Sequence, residues 1–160
     1  MANSVPTQKY LDTLKLYYEE EIEGEAYFDG VAERLEDPDH KQKMHLLGRI
    51  EEYAAASVVP LLEKHGLTPR SAQTLCQSGQ AQADNSTADW NKLITGMQKT
   101  FPGYVEDFER LEALAPPEDL PLLKILTAHE VAAVEFLMLE ALGDVNSAGP
   151  LLHYLKTGTA

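Results

Sequence analysis

The sequence predicts an all-α protein, a four-helix bundle with a long crossover between its second and third helices and a short C-terminal helix. Three observations carry that expectation. Apolar residues recur at spacings of three and four in four long segments, the pattern of an amphipathic helix. No stretch of any length alternates apolar and polar residues as a strand does. One polar gap, residues 66–86, separates the second segment from the third, and such a crossover is a known topology of four-helix bundles.

The first helix is expected over about residues 7–36, where Leu11, Leu14, Tyr18, Ile22, Phe28, Ala32 and Leu35 share one side. Asp37-Pro38 then supplies a capping side chain and a proline suited to a first helical turn. The second helix follows over about 38–65 through Met44, Leu47, Ile50, Ala54, Val58 and Leu61. Pro60 lacks a backbone donor and predicts a kink or an early stop. So short a connection makes these two helices antiparallel neighbours. Residues 66–86 are rich in Gln, Ser, Thr, Ala and Gly, with nothing more regular than a short turn expected at Ser71–Gln77. The third helix, about 87–114, carries Ile94, Met97, Phe101, Tyr104, Phe108 and Leu111 on one face, with a bend expected at Pro102-Gly103. Ala115-Pro116-Pro117 closes it. The fourth, about 117–142, is lined by Leu122, Ile125, His129, Ala133 and Phe136, and a last short helix is expected over about 148–156.

With 160 residues, 44% of them hydrophobic, the chain is long enough for one full core, so a single domain over 1–160 is expected. Thirteen Lys and Arg face 26 Asp and Glu, and a net charge of −13 repels nucleic-acid phosphates and anionic membrane surfaces. Neither is an expected partner. A lone Cys76 excludes an internal disulfide framework. No apolar run approaches the roughly 18 residues of a membrane span, and the N-terminal residues lack a charged-then-apolar signal pattern. The expected location is cytoplasmic.

The chemistry lies where charge interrupts the apolar stripes, because an unpaired buried carboxylate costs several kcal/mol. Glu21 and Glu25 sit one turn apart between Tyr18 and Phe28 on the first helix. Glu51 lies among Leu47, Ala54, Ala55 and Val58 on the second, with Glu52 one position round toward solvent. His129, between Ile125 and Phe136 on the fourth, has Glu130 beside it. Carboxylate oxygens with an imidazole nitrogen suit iron, manganese or zinc. An acidic chain also scatters Glu over exposed faces, and a lone core His is more often simply hydrogen-bonded. The other histidines, His40, His45, His65 and His153, show no partner in the sequence. There is no Gly-rich phosphate loop, no Ser-His-Asp signature and no Cys-x-x-Cys pair.

Several of these stretches resemble the ferritin-like superfamily, and within it the rubrerythrin-type bundles. They are Glu21 followed by Phe28 and Ala32, the run Thr100-Phe101-Pro102-Gly103-Tyr104, and the run from Leu122 to His129-Glu130. The resemblance covers about residues 8–142. It implies two antiparallel helix pairs around a carboxylate-bridged metal site, with Glu21 and Glu51 as ligands of the first pair, His129 in place of a ligand carboxylate, and Glu25 as an irregular addition. Glu130, adjacent to His129 and able to point partly inward, is the remaining candidate ligand. The chain departs from the family at the Glu-x-x-His motifs. Three residues beyond Glu51, Glu52 and Glu130 stand Ala54, Ala55 and Ala133, and the third helix offers Ile94 and Met97 where an acid is looked for. Two functions follow: a metal-binding protein, as an iron- or manganese-dependent oxidoreductase acting on oxygen or peroxide, or a metal-free bundle that binds a small apolar ligand or another protein. In either, a homodimer is expected.

Overall fold

The computed structural model describes residues 4–160. The first three residues, part of both the expected domain and the stretch read as lacking a signal, lie outside the described residues. Helices α1 (Gln8–Arg34), α2 (Pro38–Lys64), α3 (Ala72–Asp84), α4 (Trp90–Leu114), α5 (Leu120–Ala141) and α6 (Gly149–Thr157) follow one another, with a 3-10 turn at Pro117–Asp119 and no strand among the described residues. The expected third and fourth helices are α4 and α5. Side-chain oxygens cap four N-termini: Thr7 accepts from the Tyr10 amide, Asp37 from those of Asp39 and His40, Ser71 from Thr74, and Asp89 from Lys92. Helix α2 continues through Pro60 and α4 through Pro102, so the early stop expected at Pro60 does not occur.

Side-chain pairs at the two ends of the bundle fix the directions. At one end, Tyr10 at the start of α1 meets His65 beyond α2, and both bond to Asp119 at the start of α5. At the other end, His40 of α2 stacks on Trp90 of α4, and Lys43 pairs with Glu140 near the end of α5. Thus α2 and α4 run one way, and α1 and α5 the other. The chain regains the far end through α3, which lies along α1 in the same direction. Arg70 just before it bonds Glu19, and its last turn receives Arg34 on the Ala83 carbonyl.

This helix corrects the expectation of an irregular crossover. Its buried residues, Leu75, Gly79 and Ala83, recur every four positions but include only one large apolar side chain. Backbone proximity replaces side-chain bulk: a Cβ at Gly79 would collide with the Glu23 carbonyl and lie 2.8 Å from Ala26 Cβ, and one at Gly30 would lie 2.7 Å from Ala83 Cβ.

Two apolar clusters fill the interior. One gathers Tyr10, Leu14, Val58, Leu61, Phe108, Leu111, Leu123 and Leu126; the other gathers Phe28, Met44, Leu47, Ile50, Ile94, Met97, Phe101, Phe136 and Leu151. Residues 21, 51, 129 and 130 fall between them along their helices, so a polar layer divides the core at mid-height. Helix α6 folds back over α2 and α5, its Tyr154 hydroxyl donating to the Ile125 carbonyl. Among the described residues, no helix is long and apolar enough to cross a membrane.

Candidate metal centre

Three helices deliver the polar layer. Glu21 comes from α1, Glu51 from α2, and His129 with Glu130 from α5; all four are buried. Each side chain occupies a position that an apolar stripe directs inward, which is why the sequence pattern found them. His129 is oriented by its own helix. Nδ1 donates to the Leu126 carbonyl, which can only accept, so Nε2 is the nitrogen turned to the acids. Phe108 packs edge-on against the imidazole at 5.4 Å between centroids, and Tyr154 flanks it.

Nε2 lies 2.8 Å from Glu21 Oε2, 3.3 Å from Glu51 Oε2 and 3.4 Å from Glu130 Oε2. One ligand-type atom each from Glu21, Glu51 and His129 falls within 4.8 Å of the others. Despite these distances, Glu21 Oε2, His129 Nε2 and Glu130 Oε1 have no aligned hydrogen-bond partner. Buried polar atoms are nearly always satisfied, so three orphans in one layer form a specific anomaly. Nε2 stands at ion-pair distance from the carboxylates, and imidazole nitrogen with carboxylate oxygen is also the donor set that a divalent metal ion accepts. Gly24 leaves room for the Glu51 carboxyl, since a Cβ there would stand 3.2 Å from its carboxyl carbon.

The electrostatics follow from that crowding. Burial pushes the Glu51 carboxyl well above the usual range, and repulsion from Glu21 adds to it, with His129 opposing. Glu130 rises to about 8, chiefly through burial, with His129 pulling down and Glu51 pushing up. Burial disfavours the His129 imidazolium, but Glu21 and Glu51 override it and the net shift is upward. Each of these shifts favours protons retained within the layer.

Glu25 stands apart from this group. It is half-buried, raised to about 7 by burial and then by Glu52, Asp29 and Glu51, and it faces the outer α1–α2 seam. Four residues advance a helix by about 40° beyond a full turn, enough to carry Glu25 off the line of Glu21 and Phe28. Glu52 is exposed, as expected. Helix α4 contributes no acid to the group.

Helix α4 instead forms one wall of a cleft of about 780 Å³ against α1. Phe101, Tyr104 and Phe108 face Tyr17, Tyr27 and Phe28 across it, and Glu21, Glu51 and Glu130 line it as well. Glu20, which sequence periodicity did not single out, also lines the cleft. The side chain is exposed; partial desolvation by the apolar cleft beside it raises its carboxyl first, and repulsion from Glu23 and Asp107 adds to that.

The histidines without sequence partners do have spatial ones. His65 Nε2 lies 2.7 Å from Asp119, a buried carboxylate that also accepts from Tyr10 at 2.7 Å and Lys64 at 2.5 Å. His45 meets Asp29 at 2.8 Å, and His153 lies 3.2 Å from the Thr159 hydroxyl. These contacts clamp helix ends and tails. Set against models of protein families, curated proteins and solved structures, the chain matches none of them.

Proposed function

We propose that the protein is a ferritin-like metal-binding protein whose centre is held by Glu21, Glu51, His129 and Glu130, and that it acts as an oxidoreductase on oxygen or peroxide. The observation that carries this reading is the set of buried, converging, unpartnered atoms Glu21 Oε2, His129 Nε2 and Glu130 Oε1. Chain direction supports the fold family as well, because a crossover running the length of the bundle makes α2 and α4 parallel. The donor set fits one ion better than two, since α4 contributes no carboxylate to the converging group and no Glu-x-x-His pair is complete.

An iron or manganese ion bound there would supply one-electron exchange with oxygen or peroxide. The chain's own residues do the rest. Glu21, Glu51 and Glu130 would offset the ion's charge, and the Leu126 carbonyl holds the imidazole in the tautomer that presents Nε2. Phe28, Phe101 and Phe108 keep bulk water from the inner end of the cleft.

Protein purified after growth in metal-supplemented medium is expected to carry close to one Fe, Mn or Zn per chain by elemental analysis, and His129→Ala to carry none. Absence of metal from the wild-type chain would sink this reading. It would favour the metal-free bundle, which the raised acids Glu51 and Glu130, able to neutralise the layer with protons alone, also accommodate. For the homodimer expected from the sequence, the proposed contact is the exposed apolar set of Val131 and Met138 on α5 and Leu142 just beyond it.

A further inference from the structure

The size of the cleft exceeds what oxygen or peroxide needs. At about 780 Å³ it falls among pockets that hold organic ligands, roughly 300–1,000 Å³. Its chemistry is asymmetric. Six carboxylates line it, from Glu20, Glu21, Glu23, Glu51, Asp107 and Glu130, against Lys92 as the sole cationic side chain in the lining. Arg70 outside the cleft pairs with Glu23, and Arg110 pairs with Asp107. Glu20 is exposed at the cleft and has no ion pair or hydrogen bond among the described residues. On the inner side Glu130, 3% exposed, keeps Oε1 without a hydrogen-bond partner, and Glu21 lies 2.8 Å from His129 Nε2. At the mouth, Leu16 and Tyr104 are each 46% exposed, and Tyr17 adds an aromatic face. Apolar and aromatic surface around unpaired carboxylate is the recognition chemistry of an organic ammonium group.

We propose that the cleft between α1 and α4 binds a lipophilic amine, its ammonium at Glu20 and its apolar body on the wall formed by Tyr17, Phe101 and Tyr104. That such an amine binds does not depend on the metal reading above. An anionic ligand of the same shape is rejected by like charge, and a neutral one loses the ammonium–carboxylate contact.

Calorimetric titration of the full chain with 2-naphthylmethylamine, 2-naphthylmethanol and 2-naphthoate compares one ring system in three charge states. The amine is expected to bind at least about 10-fold more tightly than the alcohol, with no saturable binding of the carboxylate. Glu20→Gln should erase the preference of amine over alcohol. Gly96→Trp places a side chain at the cleft, where a Cβ meets nothing within 4 Å. It should weaken the amine by about 10-fold or more, with helical circular dichroism and metal content unchanged. Equal binding of amine and carboxylate, or amine binding undiminished in Gly96→Trp, overturns the proposal. A chain that binds the amine but no metal overturns the metal reading alone, and one that binds metal but not the amine overturns the cleft assignment alone.

Discussion

Replacing Glu130 by Gln tests whether the polar layer is an apolar core under electrostatic stress. Burial first, with Glu51 adding to it against His129, lifts the Glu130 carboxyl from 4.5 to about 8. Between those values the folded chain holds a proton that the unfolded chain has released, so stability falls as pH rises. At about 1.4 kcal/mol per pH unit the full span amounts to roughly 5 kcal/mol. Sharing of the proton with Glu51 and His129 reduces the part assignable to one residue to about 3 kcal/mol between pH 5 and 8. The side-chain amide that replaces the carboxyl in Glu130→Gln does not titrate. In chelator, urea melts of the wild type should therefore lose about 3 kcal/mol of stability between pH 5 and pH 8 relative to Glu130→Gln. For a chain of this size that is a difference of roughly 6–12 °C in the change of Tm over the same range. Saturating metal should remove the difference in the wild type by displacing the proton, and should help the variant less. Parallel pH profiles for the two proteins in chelator would refute the reasoning.

Four further outcomes test other contacts in the molecule. Asp119→Ala leaves the buried Tyr10 hydroxyl without its acceptor and should destabilise the fold by about 3 kcal/mol in a denaturant melt. Asp119→Asn addresses pH: burial acts to raise this carboxyl, but Lys64, His65 and Tyr10 together hold it below its ordinary value. Its contribution is thus present above the unfolded value near 4 and lost as pH falls through the lower folded one, so the variant should show a shallower acid limb in melts below about pH 4. Gly79→Leu drives a side chain into the Glu23 carbonyl and Ala26, and should lower Tm by about 10 °C or leave the chain unfolded, measured by circular dichroism. Gly24→Ala presses on the Glu51 carboxyl and should weaken metal binding by roughly 10-fold in a competitive chelator titration, with the fold kept.

Which features the sequence revealed follows from how far each depends on contacts between distant segments. Large apolar residues at helical spacing located α1, α2, α4 and α5 to within a few residues, because burial of one face imposes that pattern. Glu21, Glu51, His129 and Glu130 were visible for the same reason, as charge in places where bulk was expected. Glu25 misled because a spacing of four preserves a face only approximately. Helix α3 stayed hidden because glycine and alanine contacts with α1 leave no hydrophobic periodicity to read. Asp119 and His65 are 54 residues apart in sequence, and their pairing follows only from the meeting of helix ends. The cleft, and with it Glu20, depends on the spacing between α1 and α4, which no local pattern encodes.

The helix inside the crossover also bears on how the molecule assembles. With α3 laid along α1, residues 8–84 form a contiguous three-helix unit, and α4 with α5 forms a hairpin packed on it. Glu21 and Glu51 arrive with the first piece, and His129 and Glu130 with the second. The four side chains meet only where the two pieces pack, so the cation proposed above would act as a latch on their separation, slowing unfolding more than it speeds folding.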